Sequence, residues 1–429
     1  MPPRLRFWVI ADDLTGALDT AAPFAARGWR TCVVPWPGPS PRALSAIVRR
    51  AAGGHDVVVI ETASRHVAAR EAARRVRSVV AAASRADADA ATPRAFYKKI
   101  DSTLRGNVAA ELAAFRAATG TACLPVAPAF PAHGRTTRAG AVWVDGVPLA
   151  RSAAAHDALA PTLSGDLARL GPRGALEIFD ARTDADLRRI AARLVRESRL
   201  GAVVGSGGLA GAIAARFGSA PRPGAPRSSG AARLSKPTRG AWPKDAATGG
   251  VLVVSGSAHP AARAQARALV AAGALGLVVP VEARTPRQDR RATEALAIGA
   301  LAAGRPVVLV CPALAPGVRL SAARAAVAAR RLAATARTVV TTAPVGAVFT
   351  VGGDTTAALV AAMGWAPLAV EGALVPGVAV VRLKTPGSGT PGPLRLVTKS
   401  GAFGDTDTLR RLVRRLTSAP RSGRPSIAR

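Results

Sequence analysis

Two adjacent carboxylates end the first apolar run of the chain, in the stretch VIADDLTGALDTAA (9–22). Asp12 and Asp13 lie where a strand is expected to give way to a helix, and Thr15 and Gly16 follow at once. Carboxylates at such a turn can accept hydrogen bonds from hydroxyl groups, hold a cation or act as a base. A helix N-cap would explain one acid but not two, so the pair predicts a functional site.

A second polar cluster follows a later apolar run, in YKKIDSTLRGNVAAEL (97–112). Strand alternation puts Lys99 and Asp101 on one face, and a helix is expected to start near Ser102 or Thr103. Cations such as Lys99 and Arg105 pair with a carboxylate, while Asp and Ser side chains bind hydroxyl groups. The cluster therefore predicts a ligand with both a carboxylate and several hydroxyls. The alternative is a surface loop with incidental charges.

Three glycine-rich turns follow apolar runs in the second half: VVSGSAHP (253–260), FTVGGDTTAAL (349–359) and VTKSGAFGD (397–405). Glycine lets backbone N–H groups approach phosphate oxygens, and a helix N-terminus adds a favourable dipole. One such turn is weak evidence, because tight strand-to-helix turns need glycine anyway. Three of them, each with Ser or Thr hydroxyls, predict a phosphate-rich ligand. Asp354 opens a helix after two glycines, where it could hold a metal, act as a base or simply cap the helix.

The elements that must position these residues alternate between short apolar runs and longer alanine-rich helical stretches. The near-continuous Val, Ile and Leu content of these runs is typical of parallel strands buried on both faces. We therefore predict an α/β protein with mainly parallel sheets, in which ligands bind beyond the carboxyl ends of the strands. An Asp-Gly pair in GAVWVDGVPL (140–149) predicts a β-hairpin. The runs predicted to be strands are RFWVIAD, DVVVIET, AFYKKID, TACLPVAP and GAVVGS, then VLVVSGS, LGLVVPV, RPVVLVC, AVFTVGG and LRLVTKS.

A chain of 429 residues exceeds the size at which one core stays efficient, so two domains are expected. A Pro-, Gly-, Ser- and Arg-rich stretch without apolar periodicity predicts a flexible linker at 218–248. The predicted domains are therefore 1–217 and 249–416, and 417–429 is predicted to be a disordered tail.

Composition narrows the function classes. No apolar run reaches 18 residues, and two acids end the first one early, so neither a membrane span nor a signal peptide is expected. Three distant cysteines argue against a disulfide framework and favour a reducing cytoplasm. No CxxC, HExxH or HxH spacing is present, so a structural zinc site is not expected. The sequence also lacks a GxxxxGK[ST] phosphate loop and a GxSxG elbow.

The formal charge of +33 comes mostly from arginines scattered among alanines. A nucleic-acid binder more often clusters its basic residues or interleaves them with aromatic residues, which make up 4% here. We therefore interpret the charge as a compositional bias on solvated helix faces and do not expect a nucleic-acid partner. A polyanion-binding surface is the alternative. In either case the net charge attracts small anions.

With these residues assembled, the chain resembles the four-carbon acid sugar kinases. The resemblance runs through ADDLTGA, KKIDSTLRGN, PAFPAHGRTT, DARTDADLRRIA, GSGGLAGAIA, VVSGS, GGDT and KSGAFGD, in order over nearly the whole chain. It implies an enzyme that uses ATP and Mg²⁺ to phosphorylate the terminal (4-) hydroxyl of threonate, erythronate or 3-oxo-tetronate. It also implies a sugar-acid-binding domain at 1–217, a nucleotide-binding domain at 249–416 and an active site in the interdomain cleft. KKIDSTLRGN looks more like the threonate/erythronate branch, and a homodimer is left open.

Carried over by position, the resemblance implies roles for individual residues. Asp354 is the first choice for base or metal ligand, followed by Asp13 or Asp101. The implied substrate-binding residues are Asp12, Asp13, Thr15, Lys99, Asp101, Ser102, Arg105 and Arg135, with Lys99 and Arg105 on the carboxylate. The implied nucleotide-binding residues are Ser255, Gly256, Ser257, Gly352, Gly353, Asp354, Thr355, Lys399, Ser400, Gly401 and Gly404.

Three positions depart from the family pattern. Val351 stands where Thr is usual, Ala402 where Gly or Asn is usual, and His259–Pro260 where small polar residues are often seen. Because alanine resists a positive φ, Ala402 could displace its turn. These departures motivate two alternatives to the kinase: a sugar-acid-binding protein of the same fold without phosphotransfer, and, from the net charge, a basic nucleic-acid-associated protein.

Overall fold

The computed structural model describes residues 5–88, 94–156, 164–217, 249–280, 287–312, 321–383 and 394–417. Within these ranges the residues divide into two compact units, 5–217 with 366–379 and 249–365 with 380–417. The predicted linker at 218–248 lies outside the described residues, as do residues 418–429 of the predicted tail, and Thr417 ends a helix. Residues 366–379 join the first unit although they fall inside the predicted second domain.

The first unit is built on parallel strands with helices between them. Its strands lie in the order β15-β2-β3-β1-β4-β10-β5-β9, in which only β15 runs antiparallel to its neighbour. The strands are β1 (Arg6–Ala11), β2 (Thr31–Val34), β3 (Val57–Glu61), β4 (Arg94–Lys99), β5 (Leu124–Ala127), β9 (Leu176–Ile178), β10 (Val203–Gly205) and β15 (Leu368–Val375). The helices are α1 (Leu14–Ala25), α2 (Pro41–Gly54), α3 (Ala69–Ala86), α4 (Val108–Thr119), α5 (Asp184–Arg196) and α6 (Gly207–Phe217).

The hairpin predicted from the Asp-Gly pair is confirmed. Strands β6 (Arg135–Arg138), β7 (Ala141–Val144) and β8 (Val147–Pro148) form a small antiparallel sheet. Asp145 and Gly146 form its second turn with φ of 50° and 83°. Both central residues of a type I′ hairpin turn need a positive φ, and Asp-Gly tolerates it.

The second unit has the strand order β12-β13-β11-β14-β17-β16, with parallel pairing from β12 to β17. Its strands are β11 (Gly250–Ser255), β12 (Leu275–Val278), β13 (Val307–Val310), β14 (Val345–Val351), β16 (Val378–Arg382) and β17 (Arg395–Lys399). Its helices are α7 (Pro260–Ala271), α8 (Arg287–Ala302), α9 (Ala322–Thr342), α10 (Gly353–Met363) and α11 (Thr408–Thr417). Residues 378–379 of β16 belong to the first unit.

The predicted α/β class with mainly parallel sheets is confirmed, and all ten predicted strands are present. Several of the apolar runs are buried on both faces: every residue of β3, β11 and β14 is buried, whereas β12 alternates half-buried and exposed residues. Among the described residues, no helix is long and apolar enough to span a membrane.

Candidate active site

In the first unit, the carboxyl ends of three neighbouring strands bring charged residues together. Strand β1 lies between β3 and β4, and its last residue pairs with the last residue of each, so the chain leaves all three at the same level. We call the residues that follow these ends the strand-end cluster: Asp12 and Asp13 after β1, Arg65 after β3, and Lys99, Asp101 and Arg105 at and after β4.

Arg65 holds the acids of this cluster. Its Nε donates to Asp12 Oδ2 at 2.7 Å, its Nη2 donates to Asp13 Oδ1 at 2.8 Å, and the same Nη2 lies 3.7 Å from Asp101 Oδ1. Burial opposes ionisation of Asp12, but Arg65, Lys98 and Lys99 outweigh it, so the pKa of Asp12 lies below its ordinary value of 3.8. The adjacent acids are therefore held by one guanidinium.

Asp13 has a second task. Its side chain accepts the Gly16 N–H at 3.1 Å and caps α1. The capping alternative raised by the sequence is thus correct for Asp13, and Asp12 is the acid that a cap does not explain. Among the described residues, buried Asp12 Oδ1 and Thr15 Oγ1 have no hydrogen-bond partner. Buried polar atoms are usually satisfied, so these two are suited to a ligand hydroxyl.

The Asp101 carboxylate accepts hydrogen bonds from residues of its own loop. It accepts from Thr103 N at 3.1 Å and from the Thr103 hydroxyl, and Arg105 binds it through Nε at 3.0 Å and Nη2 at 2.9 Å. Burial opposes ionisation of Asp101, yet Arg105, Arg65 and Lys99 hold its pKa well below 3.8. A carboxylate in this state is a weak proton acceptor, so the geometry favours a positioning role for Asp101. Ser102, beside it, is half-buried.

Lys99 is the cation of the cluster that no acid neutralises directly. Its side chain is buried, and among the described residues no carboxylate lies within 4 Å of its ammonium. A Cβ built on Gly16 would lie 2.9 Å from Lys99 Nζ and 2.5 Å from Asp13 Oδ1, which places the ammonium against the first turn of α1. A buried cation costs free energy unless an anion meets it, so Lys99 is suited to bind a ligand carboxylate.

Lys98 points to the other side of the sheet, as strand alternation requires. Its Nζ lies 2.9 Å from Glu111 Oε2, and both side chains are fully buried. The Ser64 hydroxyl donates to Glu111, and the Asn107 amide donates to the Ser64 and Val67 carbonyls at 2.9 and 2.8 Å. This network fixes the loop that carries Arg65.

Arg135 comes from the small antiparallel sheet. It starts β6, and its guanidinium donates to the His133 carbonyl. His133 stacks on Phe130 with 3.9 Å between ring centroids, and burial together with the charges of Arg135 and Lys99 lowers its pKa to about 4. Among the described residues Arg135 has no ion pair with an aspartate of the strand-end cluster.

Sequence reasoning missed Arg65. The signal was present, because TASRH follows a predicted strand next to the one that ends in Asp12. Arginine is so frequent in this chain that one more after a strand carried little information.

In the second unit, the three glycine-rich turns converge at Ser257. They follow β11, β14 and β17, which are neighbours in the sheet. A Cβ on Gly352 would lie 3.3 Å from Ser257 Cβ, and one on Gly401 would collide with Ser257 Oγ. Gly352 also has a φ of 107°, which disfavours any side chain. The predicted nucleotide-binding turns are therefore brought together.

Individual residues of these turns differ in exposure. Asp354 is exposed in the first turn of α10, where the helix dipole favours a carboxylate. A Cβ on Gly256 would collide with the buried Thr355 hydroxyl. Lys399 is fully buried, and its ammonium donates to the Ser400 carbonyl at 2.8 Å. Burial lowers the pKa of Lys399 to about 8.

The three departures from the family pattern cause no strain. Val351 is fully buried in β14. Ala402 is exposed, and it is not among the described non-glycine residues with positive φ, so alanine fits the turn. His259 caps α7 by accepting the Ala261 N–H through Nδ1 at 3.2 Å, and Pro260 occupies the first turn.

Comparison with known proteins assigns the two halves. Residues 7–171 match the model of a sugar-binding N-terminal domain, and residues 252–409 match that of a nucleotide-binding C-terminal domain. These domain classes agree with the strand-end cluster in the first unit and the convergent glycine turns in the second.

Relatives extend over nearly the whole chain. The chain is 34% identical to a D-threonate kinase of Bordetella bronchiseptica, over 94% of this chain and 95% of that protein. It is 33% identical to a D-threonate kinase of Cupriavidus necator, over 94% of this chain and 95% of that protein. A crystal structure from Salmonella typhimurium LT2 shares the fold, with a TM-score of 0.69 and 22% identity over 96% of this chain and 99% of that one. The chain therefore belongs to the four-carbon acid sugar kinase family.

Proposed function

We propose that the protein transfers a phosphoryl group from ATP to the terminal (4-) hydroxyl of a four-carbon sugar acid, with D-threonate as the first candidate. The observation that carries this proposal is the strand-end cluster, which holds a buried ammonium without a carboxylate partner beside acids with an unsatisfied oxygen. A sugar acid carries the complementary groups, one carboxylate and several hydroxyls. The relatives named D-threonate kinase support the choice of acid.

Lys99 binds the acid's carboxylate, and Asp12 Oδ1 accepts from a hydroxyl. Arg105 is committed to Asp101, so its predicted contact with the substrate is indirect. Phosphoryl transfer needs positioning and charge stabilisation rather than covalent chemistry. The glycine turns around Ser257 present backbone N–H groups to the phosphates, and a carboxylate accepts the proton of the attacking hydroxyl. Asp354 remains the first candidate and Asp13 the second, whereas the contacts of Asp101 disfavour it. The interdomain location of the active site stays a prediction.

The residues present fit a magnesium ion that binds together with the nucleotide phosphates. Among the described residues, no group of three His, Cys, Asp or Glu side chains could hold a metal ion. Mg²⁺ commonly binds through one or two carboxylates plus substrate phosphates, and exposed Asp354 offers one such carboxylate. A magnesium ion bound at Asp354 would neutralise negative charge on the phosphates. A cytoplasmic location belongs to the same proposal, supported by three free cysteines.

The test is ADP release coupled to a chromogenic assay, with D-threonate, L-threonate, D-erythronate and 3-oxo-tetronate compared by kcat/KM. We expect D-threonate to give the highest value. Lys99→Met should raise the KM for the acid at least tenfold with little change in the KM for ATP, since it removes a contact to the carboxylate alone. As a matched control, Arg85→Met on the exposed end of α3 should leave both constants unchanged. Release of ADP that no acid stimulates would refute the proposal.

A further inference from the structure

The third glycine turn, residues 400–407, is held by a side chain from another element. Gln265 lies in α7, and its side chain is fully buried. Its Nε2 lies 2.9 Å from the Phe403 carbonyl oxygen, 3.1 Å from that of Gly404 and 2.8 Å from that of Asp405. Three consecutive carbonyls thus face one amide nitrogen.

The chemistry fixes the orientation of this amide. Among the described residues its Oε1 has no hydrogen-bond partner. The reverse orientation would place that oxygen against three carbonyl oxygens, which repel it. The nitrogen contacts therefore decide the orientation of the side chain, and the turn needs a donor at this position.

The carbonyl contacts also set the direction of the turn's N–H groups. A trans peptide group points its C=O and N–H in opposite directions. With the 403, 404 and 405 carbonyls turned inward to Gln265, the N–H groups of residues 404, 405 and 406 point away from it, and these residues are exposed. Gly404 has a φ of 84°, which glycine adopts without strain and which lets the chain turn here.

We infer that Gln265 is a positioning residue for the nucleotide: it holds the carbonyl side of residues 403–405 so that the opposite, N–H side faces the phosphates. The inference rests on the proposed function, because it takes this turn as part of the nucleotide site. Gln265 touches the turn, not the nucleotide. Its loss therefore acts through the loop and affects nucleotide binding without affecting the acid.

Two substitutions separate this role from simple packing. Gln265→Met keeps the length and burial of the side chain but cannot donate, and we expect it to raise the Kd for Mg-ADP and the KM for ATP about tenfold. The KM for the sugar acid should stay within a factor of two. Arg267→Met, on the exposed face of the same helix, is the control and should change neither constant.

Gln265→Glu adds a pH signature. A protonated glutamic acid can donate to one carbonyl, whereas an ionised one repels all three. Lys399, whose pKa is about 8, titrates in the same range in every variant. The Kd for Mg-ADP of Gln265→Glu should therefore rise more steeply between pH 6 and pH 9 than that of the wild type or Gln265→Met. If either variant does not fold, hydrogen exchange of the wild type decides, because Mg-ADP should protect the amides of residues 404–406.

Three results would overturn the inference: wild-type ADP affinity in Gln265→Met, an equal loss of affinity for acid and nucleotide, or no protection of 404–406 by ADP. A different result would refute the proposed function. A wild-type protein that binds ADP but releases none with any acid would refute the kinase, while the titrations would still test Gln265.

Discussion

Replacing Arg65 tests how the acids of the strand-end cluster are held. Arg65→Met keeps an unbranched side chain in a nearly buried position, 12% exposed, but removes the guanidinium that binds Asp12 at 2.7 Å and Asp13 at 2.8 Å. Two acids then remain beside Asp101 without their common partner. Removing one member of a buried ion pair costs about 3–5 kcal/mol. Lys99 remains nearby, so we expect the lower end, a loss of about 3 kcal/mol of unfolding free energy at pH 7.

The pH dependence makes this prediction specific. In the wild type, folding lowers the pKa of Asp12 and Asp101 below 3.8. Their contribution to stability is therefore present above the unfolded pKa and is lost as the pH falls through the folded pKa. In Arg65→Met these folded pKa values rise, so the variant lacks this contribution at neutral pH. The difference in unfolding free energy between wild type and Arg65→Met should therefore decrease on acidification.

Urea unfolding followed by tryptophan fluorescence at pH 7, 5, 4 and 3 measures the difference in unfolding free energy across the range below 3.8 in which the contribution is lost. The coupled assay at pH 7 measures activity in parallel. Arg65→Lys keeps the charge but can reach only one acid. Its unfolding free energy should therefore lie between those of wild type and Arg65→Met. We expect kcat/KM for the acid to fall about 100-fold in Arg65→Met, roughly the effect of 2.7 kcal/mol. A loss under about 1 kcal/mol, or a gap that stays constant with pH, would show that Arg65 does not hold the acids.

Three further changes test the contacts around the site. Gly16→Ala should lower the free energy of unfolding by about 1–2 kcal/mol and raise the KM for the acid, because its methyl group would lie 2.5 Å from Asp13 Oδ1. The control is Gly53→Ala in α2, where a methyl group would have no atom within 4 Å. It should raise the free energy of unfolding by about 0.5–1 kcal/mol. Gly401→Ala should raise the KM for ATP at least tenfold without changing that for the acid, because its methyl group would collide with the Ser257 hydroxyl; equal effects on both constants would contradict this. Burial raises the pKa of half-buried Asp19 to about 6, so its contribution to stability is full below pH 3.8 and is lost as the pH rises through 6. Urea midpoints should therefore show wild type losing about 2 kcal/mol relative to Asp19→Asn between pH 4 and pH 7, and parallel pH profiles would refute it.

Most of the strands that the sequence revealed are buried, because a run such as VVVIE in β3 is typical of a buried parallel strand. The predicted strand β12 is an exception, since its residues alternate between half-buried and exposed. Strand β15, LAVEGALV, alternates buried and more exposed residues, and its pairing with β2 joins residues more than 300 positions apart. No local pattern encodes such a partner. Strand β2, TCVV, was not among the predicted strands, although it is as long as the predicted β5 and β13. Long-range pairing therefore decided the assignment of 366–379 to the first unit.

The same limit applied to the candidate site. The sequence identified Asp12, Asp13 and Lys99 because charged residues at strand ends are unexpected. It could not identify Arg65 or Gln265, because an arginine in an arginine-rich chain and a glutamine within an alanine-rich helix stand out only through their contacts. Their importance lies in which backbone and side-chain oxygens they meet, and those partners come from other elements.

The charge distribution of the strand-end cluster explains why a strongly basic chain places two acids side by side. Asp101 is neutralised by Arg105, whereas Asp12 and Asp13 share the single charge of Arg65. This sharing leaves the two acids with one more negative charge than Arg65 balances, and the Lys99 ammonium lies against the first turn of the same helix. A sugar acid carries the complementary groups, hydroxyl donors and a carboxylate. A second cation on Asp12 and Asp13 would remove the excess negative charge, and the hydroxyl donors would lose their acceptor. The proposed specificity therefore depends on two acids having one arginine between them.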